Sequence, residues 1–254
     1  MPEYKGAAMK TTVLLVYPLV EYGNNYPWTW VPYSLLAIDA AIKKDISDID
    51  VILFDQNHSS IDEFYSIVNE NMHSLLLAGF SIMTGGGQIK NALSLAQWLK
   101  EHSPKSNIVF GGPHVNVLPE QTLMHPLIDD VLSGPGQISF PLYIKYLNGK
   151  ITPQQVPGLI SKRNAQFLYS SPNLLCKEAM IKYDFDALDL TPYIRADPAI
   201  SSRILNYISS QGCPHQCAFC YESSYRRKYF SLNEEDIIDN ISYLVDMYGI
   251  NGIK

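Results

Sequence analysis

The chain has 254 residues, 46% of them hydrophobic and 17% charged, and a formal net charge of −6 at pH 7. This length suits one large domain or two modest ones, and the negative charge argues against nucleic-acid binding, which needs a basic face. No apolar run reaches the roughly 18 residues of a membrane span, and residues 1–10 do not begin a secretory signal. We therefore expect a cytosolic protein.

Residues 12–150 alternate apolar runs with amphipathic stretches, which is typical of a parallel sheet covered by helices. Five strands are predicted, at residues 12–17, 49–54, 75–82, 107–110 and 130–132. Helices are predicted between and after them, at about residues 33–44, 61–71, 88–102, 120–124 and 137–147.

Glycine clusters follow three successive strands of this predicted sheet, at 85–87, at 111–112 and at Gly134 with Gly136. Each cluster alone is most simply a tight turn. Open α/β sheets bind ligands at the carboxyl ends of their strands, so three clusters together predict a ligand groove there. A G-x-G-x-x-G fingerprint and a P-loop are both missing from the sequence, which disfavours a nicotinamide or nucleoside triphosphate site.

The rest of the chain has a different pattern. Residues 156–169 predict two short strands around a polar turn, and an aperiodic linker that packs along the next domain follows. A strand at 204–208 leads to a helix that begins at Ser231, with Glu234 completing a capping box, and ends at Gly249.

A cysteine-rich loop lies just after the 204–208 strand, with the spacing C-x3-C-x2-C at Cys213, Cys217 and Cys220. Thiolates at such spacing favour an iron–sulfur cluster, and three protein ligands leave one iron of a 4Fe–4S cluster open for a substrate or cofactor. Zinc held with His215 and inert thiols are the alternatives, and a disulfide is disfavoured. The remaining thiol, Cys176, is predicted to be free and partly buried.

The cysteine spacing, with Phe219 just before the last cysteine, resembles the signature of the radical S-adenosylmethionine superfamily. The resemblance implies that Cys213, Cys217 and Cys220 hold a 4Fe–4S cluster and that S-adenosylmethionine chelates the fourth iron through its amino and carboxylate groups. It also implies that Phe219 lies beside the adenine. Reductive cleavage would then give methionine and a 5′-deoxyadenosyl radical.

Residues 12–150 resemble the cobalamin-binding domain that precedes many radical S-adenosylmethionine domains. The matching residues follow the third, fourth and fifth strands, and they are Ser81, Met83, Thr84, Gly111, Gly112, Pro113, His114, Gly134 and Gly136. The resemblance implies that they line the channel for the dimethylbenzimidazole tail. The family's cobalt-ligating pattern Asp-x-His-x-x-Gly is replaced here by Asp55-x-Asn57-x-x-Ser60, so histidine ligation of cobalt is not expected.

The predicted fold is α/β. A Rossmann-like five-stranded parallel-sheet cobalamin-binding domain (1–150) precedes a linker with short strands (151–199) and the start of a partial (β/α) radical S-adenosylmethionine barrel (200–254). A barrel needs several more strand–helix units. We therefore expect the chain to be a fragment or one part of a split protein, with a second chain completing the barrel.

The resemblance implies a cobalamin-dependent radical S-adenosylmethionine enzyme that transfers a methyl group to an unactivated carbon of a small molecule. Flavodoxin or ferredoxin would supply electrons, and no membrane or nucleic-acid partner is expected. Ring rearrangement or cyclisation remains open, as do a cobalamin-binding module without catalysis and a zinc-stabilised regulatory protein. No catalytic side chain is assigned.

Overall fold

The computed structural model describes residues 10–21, 30–85, 87–163, 166–220 and 228–254. Gly86 of the first glycine cluster and turn residues 164–165 therefore lie outside the described residues. A seven-stranded sheet forms the first half of the chain. Its strands are β1 (Thr11–Tyr17), β2 (Ile49–Asp55), β3 (Leu75–Ser81), β4 (Asn107–Gly111), β5 (Asp130–Leu132), β6 (Leu159–Arg163) and β7 (Gln166–Tyr169).

The sheet runs in the order β2-β1-β3-β4-β5-β6-β7, and its first five strands are parallel. The five predicted parallel strands are confirmed, but the sheet is larger than predicted. The two strands assigned to the linker form an antiparallel hairpin that extends the sheet beyond β5. The hydroxyl of Ser161 on β6 donates to the buried carboxylate of Asp130 on β5, which joins the hairpin to the core.

Six helices connect the strands, namely α1 (Tyr33–Asp45), α2 (Ile61–Asn71), α3 (Gln88–His102), α4 (Pro113–Val117), α5 (Pro119–Leu123) and α6 (Gly136–Leu147). Helices α1 and α6 cover one face of the sheet, and α2 and α3 cover the other. The parallel strands are apolar on both faces because both are covered. Helix α2 begins where Ser60 Oγ accepts the Glu63 N–H at 3.1 Å.

The second unit is smaller. Strands β8 (Arg195–Asp197), β9 (Ser201–Leu205) and β12 (Gly252–Ile253) form a sheet in the order β12-β9-β8, and β10 (Ser210–Gly212) pairs with β11 (Tyr229–Ser231). Helix α7 (Glu234–Tyr248) connects β9 and β12, which are parallel. Within the described residues this is one parallel β–α–β unit and not a closed barrel. Strand β9 also lies three residues earlier than predicted.

The predicted capping box at Ser231 is wrong. Ser231 belongs to β11, so its backbone is extended and paired with Ser210. The N-cap of α7 is Asn233, whose Oδ1 accepts the Asp236 N–H at 2.7 Å. The predicted end of this helix at Gly249 is confirmed, because that glycine adopts a left-handed conformation at φ 60°.

The linker after β7 packs along the second unit, as the sequence predicts, and it also contacts α1 of the first unit. Tyr33 and Leu36 on α1 share one apolar cluster with linker residues Phe185 and Tyr193. This cluster also contains buried residues of β9 and α7, so α1 contacts both the first sheet and the second unit. Among the helices of the described residues, none is long and apolar enough to cross a membrane.

Candidate functional site at the strand ends

A cavity of about 600 Å³ lies at the carboxyl ends of β1, β3, β4 and β5. The strand order changes direction between β1 and β3, and in an open α/β sheet ligands bind in the crevice at this point. The N-terminus of α1 forms a second wall, and residues 206–212 of the second unit form the outer wall. The cavity is therefore built by both units.

Seven of the nine residues predicted to line a channel in this sheet do line the cavity. They are Ser81, Met83, Gly111, Gly112, Pro113, Gly134 and Gly136. Thr84 and His114 are not among the lining residues, and the Thr84 hydroxyl lies 3.1 Å from Nδ1 of His114. The structure thus brings three separate strand ends to one cavity wall.

At two of these lining positions, close packing against neighbouring backbone leaves no room for a side chain. Gly112 has φ 92°, and a Cβ added there would lie 2.7 Å from the carbonyl oxygen of Ile82. Gly134 has φ 105°, and its Cβ would overlap the backbone of Asn173. L side chains rarely adopt these φ values. Glycine is therefore required at both positions by the neighbouring backbone.

Gln88 holds the loop after β3 in place. This side chain is fully buried; its Oε1 accepts the Met83 N–H at 2.6 Å and its Nε2 donates to the carbonyl of Pro18 at 3.0 Å. The loops after β1 and β3 are therefore tied together on either side of the crevice.

His114 is buried at the start of α4 and contacts Thr84 rather than the cavity. Burial lowers the pKa of its imidazole, because the charged form loses solvation. His114 is thus not part of the cavity wall, although the sequence analysis places it among the channel-lining residues.

Sequence reasoning missed the second and outer walls of the cavity. Trp30, Tyr33 and Ser34 line it from the start of α1, and Asn206 and Ile208 line it from the segment after β9. The hydroxyls of Ser34 and Ser81 lie 2.9 Å apart, which joins the α1 wall to the end of β3. Neither wall follows from a local sequence pattern, because the predicted strand at 204–208 includes Asn206 and both walls depend on tertiary packing.

The stretch after β2, which the sequence analysis compares with the cobalt-ligating pattern, is held in place by hydrogen bonds within the protein. Asn57 Oδ1 accepts the Val20 N–H at 2.9 Å, and its Nδ2 donates to Asp55 Oδ1 at 2.6 Å. The other oxygen of Asp55 accepts the Tyr193 hydroxyl at 2.6 Å, and the His58 ring packs on Tyr193 at 4.4 Å between centroids. Asn57 therefore anchors the loop after β1.

The cysteine loop begins at the rim of the cavity, since Gly212 lines the cavity and Cys213 follows it. Cys213 and Cys220 are half-buried, Cys217 is exposed, and none of the three forms a disulfide. Phe219 is 94% exposed and makes no part of the cavity wall. In the described part of the chain, no three histidine, cysteine or acidic side chains are gathered closely enough to hold a metal ion.

The thiols therefore fit an iron–sulfur cluster by chemistry and spacing, but their positions in this structure do not form a ligand set. The same holds for the zinc alternative with His215. Cys176 is a partly buried free thiol, as predicted, and burial is the main cause that raises its pKa.

Comparison with protein families matches residues 22–144 to the B12 binding domain. An uncharacterized methyltransferase of Pyrococcus horikoshii is 28% identical over 250 residues, which cover 95% of this chain and 52% of the relative. The chain thus spans about half the length of that curated relative.

Two solved structures share the fold. The cobalamin-dependent S-adenosylmethionine radical enzyme OxsB, with aqua-cobalamin and S-adenosylmethionine bound, matches with a TM-score of 0.78 at 20% identity. The match covers 96% of this chain and 33% of OxsB. The radical S-adenosylmethionine methyltransferase TsrM of Kitasatospora setae matches with a TM-score of 0.69 at 16% identity, covering 95% and 46% of the two chains.

Proposed function

We propose that this chain is part of a cobalamin-binding radical S-adenosylmethionine enzyme, that it binds cobalamin in the strand-end cavity, and that it serves methyl transfer to an unactivated carbon. One observation carries the proposal: a single cavity joins the strand ends of the B12 binding domain to the segment that leads into Cys213. A cofactor in this cavity would lie next to the cysteine loop.

The cavity has the size of a small-molecule site. Its volume of about 600 Å³ lies within the range of small-molecule sites, roughly 300–1,000 Å³. The bare backbone at Gly112 and Gly134 lets a ligand approach the sheet edge closely. Residue 57, where the cobalt-ligating pattern has a histidine, is an asparagine whose amide is hydrogen-bonded to Val20 and Asp55. We therefore propose that this stretch supplies no imidazole to cobalt.

We further propose that Cys213, Cys217 and Cys220 are the protein ligands of a 4Fe–4S cluster and that S-adenosylmethionine binds beside it, near Phe219. When bound, the cluster with S-adenosylmethionine supplies the radical chemistry and cobalamin supplies the methyl group. The residues of this chain hold and orient these groups. The methyltransferase names of the Pyrococcus horikoshii relative and of TsrM support methyl transfer as the outcome.

The partners follow from this chemistry. We propose a small-molecule substrate, a flavodoxin or ferredoxin as reductant, and a reducing cytosol in which free thiols persist. A module that binds cobalamin without catalysis is the second candidate, favoured because the cysteine thiols do not gather into a metal-ligand set among the described residues.

Cobalamin binding is tested by filling the cavity. Ser34 lines the cavity wall, whereas Ser66 lies on the exposed face of α2 outside it. We expect Ser34→Trp to weaken hydroxocobalamin binding at least about 100-fold by steric exclusion, and Ser66→Trp to leave it within about twofold, in an optical titration. Equal binding by the wild type and Ser34→Trp would place cobalamin elsewhere.

The cluster is tested separately by anaerobic iron–sulfide reconstitution. We expect a brown protein with a 4Fe–4S EPR signal after reduction, lost in Cys213→Ala and kept in Cys176→Ala. Stoichiometric zinc without iron would instead favour the zinc alternative. Cobalamin binding without reductive cleavage of S-adenosylmethionine by the reconstituted chain would favour the binding module.

A further inference from the structure

Asn206 is the first residue after β9 and lines the cavity from the side of the second unit. Only 2% of its surface is exposed, so its amide is shielded from bulk solvent. A buried amide needs hydrogen-bond partners for both its oxygen and its nitrogen. The question is which partners Asn206 has.

The orientation of the Asn206 amide is fixed by its neighbours. Its Oδ1 accepts the Val31 N–H at 3.1 Å, and its backbone carbonyl accepts the Tyr33 hydroxyl at 2.7 Å. Because a backbone N–H is a donor, the atom facing Val31 is the oxygen and not the nitrogen. The NH₂ group therefore lies on the other side of the amide.

Nδ2 of Asn206 is buried and has no hydrogen-bond partner among the described residues. Asn240 is buried to the same extent, yet both ends of its amide are satisfied: Oδ1 accepts the Tyr207 hydroxyl and Nδ2 donates to the Tyr183 carbonyl, each at 3.2 Å. Asn206 differs from Asn240 in lining the cavity. Of these two buried amides, the one with the unpartnered NH₂ group thus belongs to the residue that lines the cavity.

We propose that Nδ2 of Asn206 donates a hydrogen bond to an acceptor oxygen of the molecule bound in the cavity, namely a carboxamide carbonyl at the edge of a corrin ring. This inference rests on the proposed function, because the acceptor belongs to cobalamin. It makes Asn206 a binding residue that the second unit contributes to the cofactor site. Residue 206 would then couple cofactor binding to the position of the segment leading to Cys213.

Asn206→Asp tests the donor. It keeps the shape and the oxygen that accepts from Val31, and it replaces the NH₂ group by a carboxylate oxygen. In optical titrations with hydroxocobalamin at about pH 8.5, where a buried aspartate is more fully ionised, we expect at least about tenfold weaker binding than the wild type. At about pH 5.5 the protonated aspartic acid can donate, so the difference from the wild type should shrink.

Asn240→Asp is the matched control, and we expect it to bind hydroxocobalamin within about twofold of the wild type at both pH values. Asn206→Leu, which removes the donor without adding charge, should bind at least about fivefold more weakly, and it decides the outcome if Asn206→Asp does not fold by circular dichroism. Variants at residue 206 that lose stability but bind as the wild type does would overturn the inference while leaving the proposed function intact. A wild-type chain that binds no hydroxocobalamin would overturn both.

Discussion

Gly112 shows how little space the strand-end wall leaves for side chains. Its backbone has φ 92° and ψ −175°, and an added Cβ would meet the backbone of Ile82. We expect Gly112→Ala to lower the free energy of unfolding by about 3 kcal/mol or more, through backbone strain and overlap together. Urea denaturation followed by circular dichroism measures this.

Gly149 provides the control for Gly112. It also has a positive φ, of 69°, but an added Cβ there would meet no atom within 4 Å. Gly149→Ala should therefore cost only the strain of the left-handed conformation, about 1 kcal/mol. Equal losses in the two variants would contradict the close packing of Gly112 on Ile82.

His114 gives the chain a predicted pH dependence. Burial lowers the pKa of this imidazole in the folded state, so folding favours the neutral form. The stabilisation is present above the unfolded-state pKa of about 6.5 and is lost as the pH falls through the lower folded-state value. We expect the stability of the wild type to fall more steeply than that of His114→Gln as the pH decreases below about 6.5.

Thermal unfolding at a series of pH values tests this difference. His73 is exposed, so His73→Gln should follow the wild-type curve. Parallel curves for the wild type and His114→Gln would show that His114 is solvated and would contradict its burial beside Thr84.

At the scale of elements, the β6–β7 hairpin is the main departure from the sequence prediction. Ile160 on β6 is buried in the same cluster as the strands and helices of the first sheet, whereas Leu168 on the edge strand β7 is 50% exposed. We expect Ile160→Ala to lower the free energy of unfolding by about 2–4 kcal/mol and Leu168→Ala by less than about 1 kcal/mol. If urea denaturation showed a loss below about 1 kcal/mol for both variants, the hairpin would not be part of the core of the sheet.

The reasons for success and failure at this scale are physical. Helix α2 was predicted correctly because its amphipathic pattern starts directly after the cap Ser60. The hairpin strands were also found, but alternation within a strand does not say which sheet it joins. The start of α7 was misplaced because Ser231 and Asn233 are both good caps, and only the pairing of β11 with β10 decides between them.

At the scale of the whole molecule, α1 is the element shared by both units. One face of α1 packs on the first sheet. On the other face, Leu36 is fully buried against the linker and the second unit. The cavity lies beside this junction, so the position of the second unit defines its outer wall.

The candidate site was predictable only in part. The glycine clusters located the sheet-side wall, because the carboxyl ends of parallel strands meet at one edge. The outer wall was not predictable, because contacts such as Asn206 to Val31 join residues 175 positions apart. The sequence predicts that Cys213, Cys217 and Cys220 hold a cluster. In the described part of the chain their thiols are not gathered into a ligand set.

Hydrogen–deuterium exchange with and without hydroxocobalamin tests most directly whether the cavity shared by both units binds the cofactor. We expect slower exchange in the strand-end segments 111–117 and 132–137 and, at the same hydroxocobalamin concentration, in the outer-wall segment 206–212. Helices α2 and α3, on the other face of the sheet, should exchange as before. Protection of the strand ends without protection of 206–212, or no protection at all, would contradict a cofactor site built by both units.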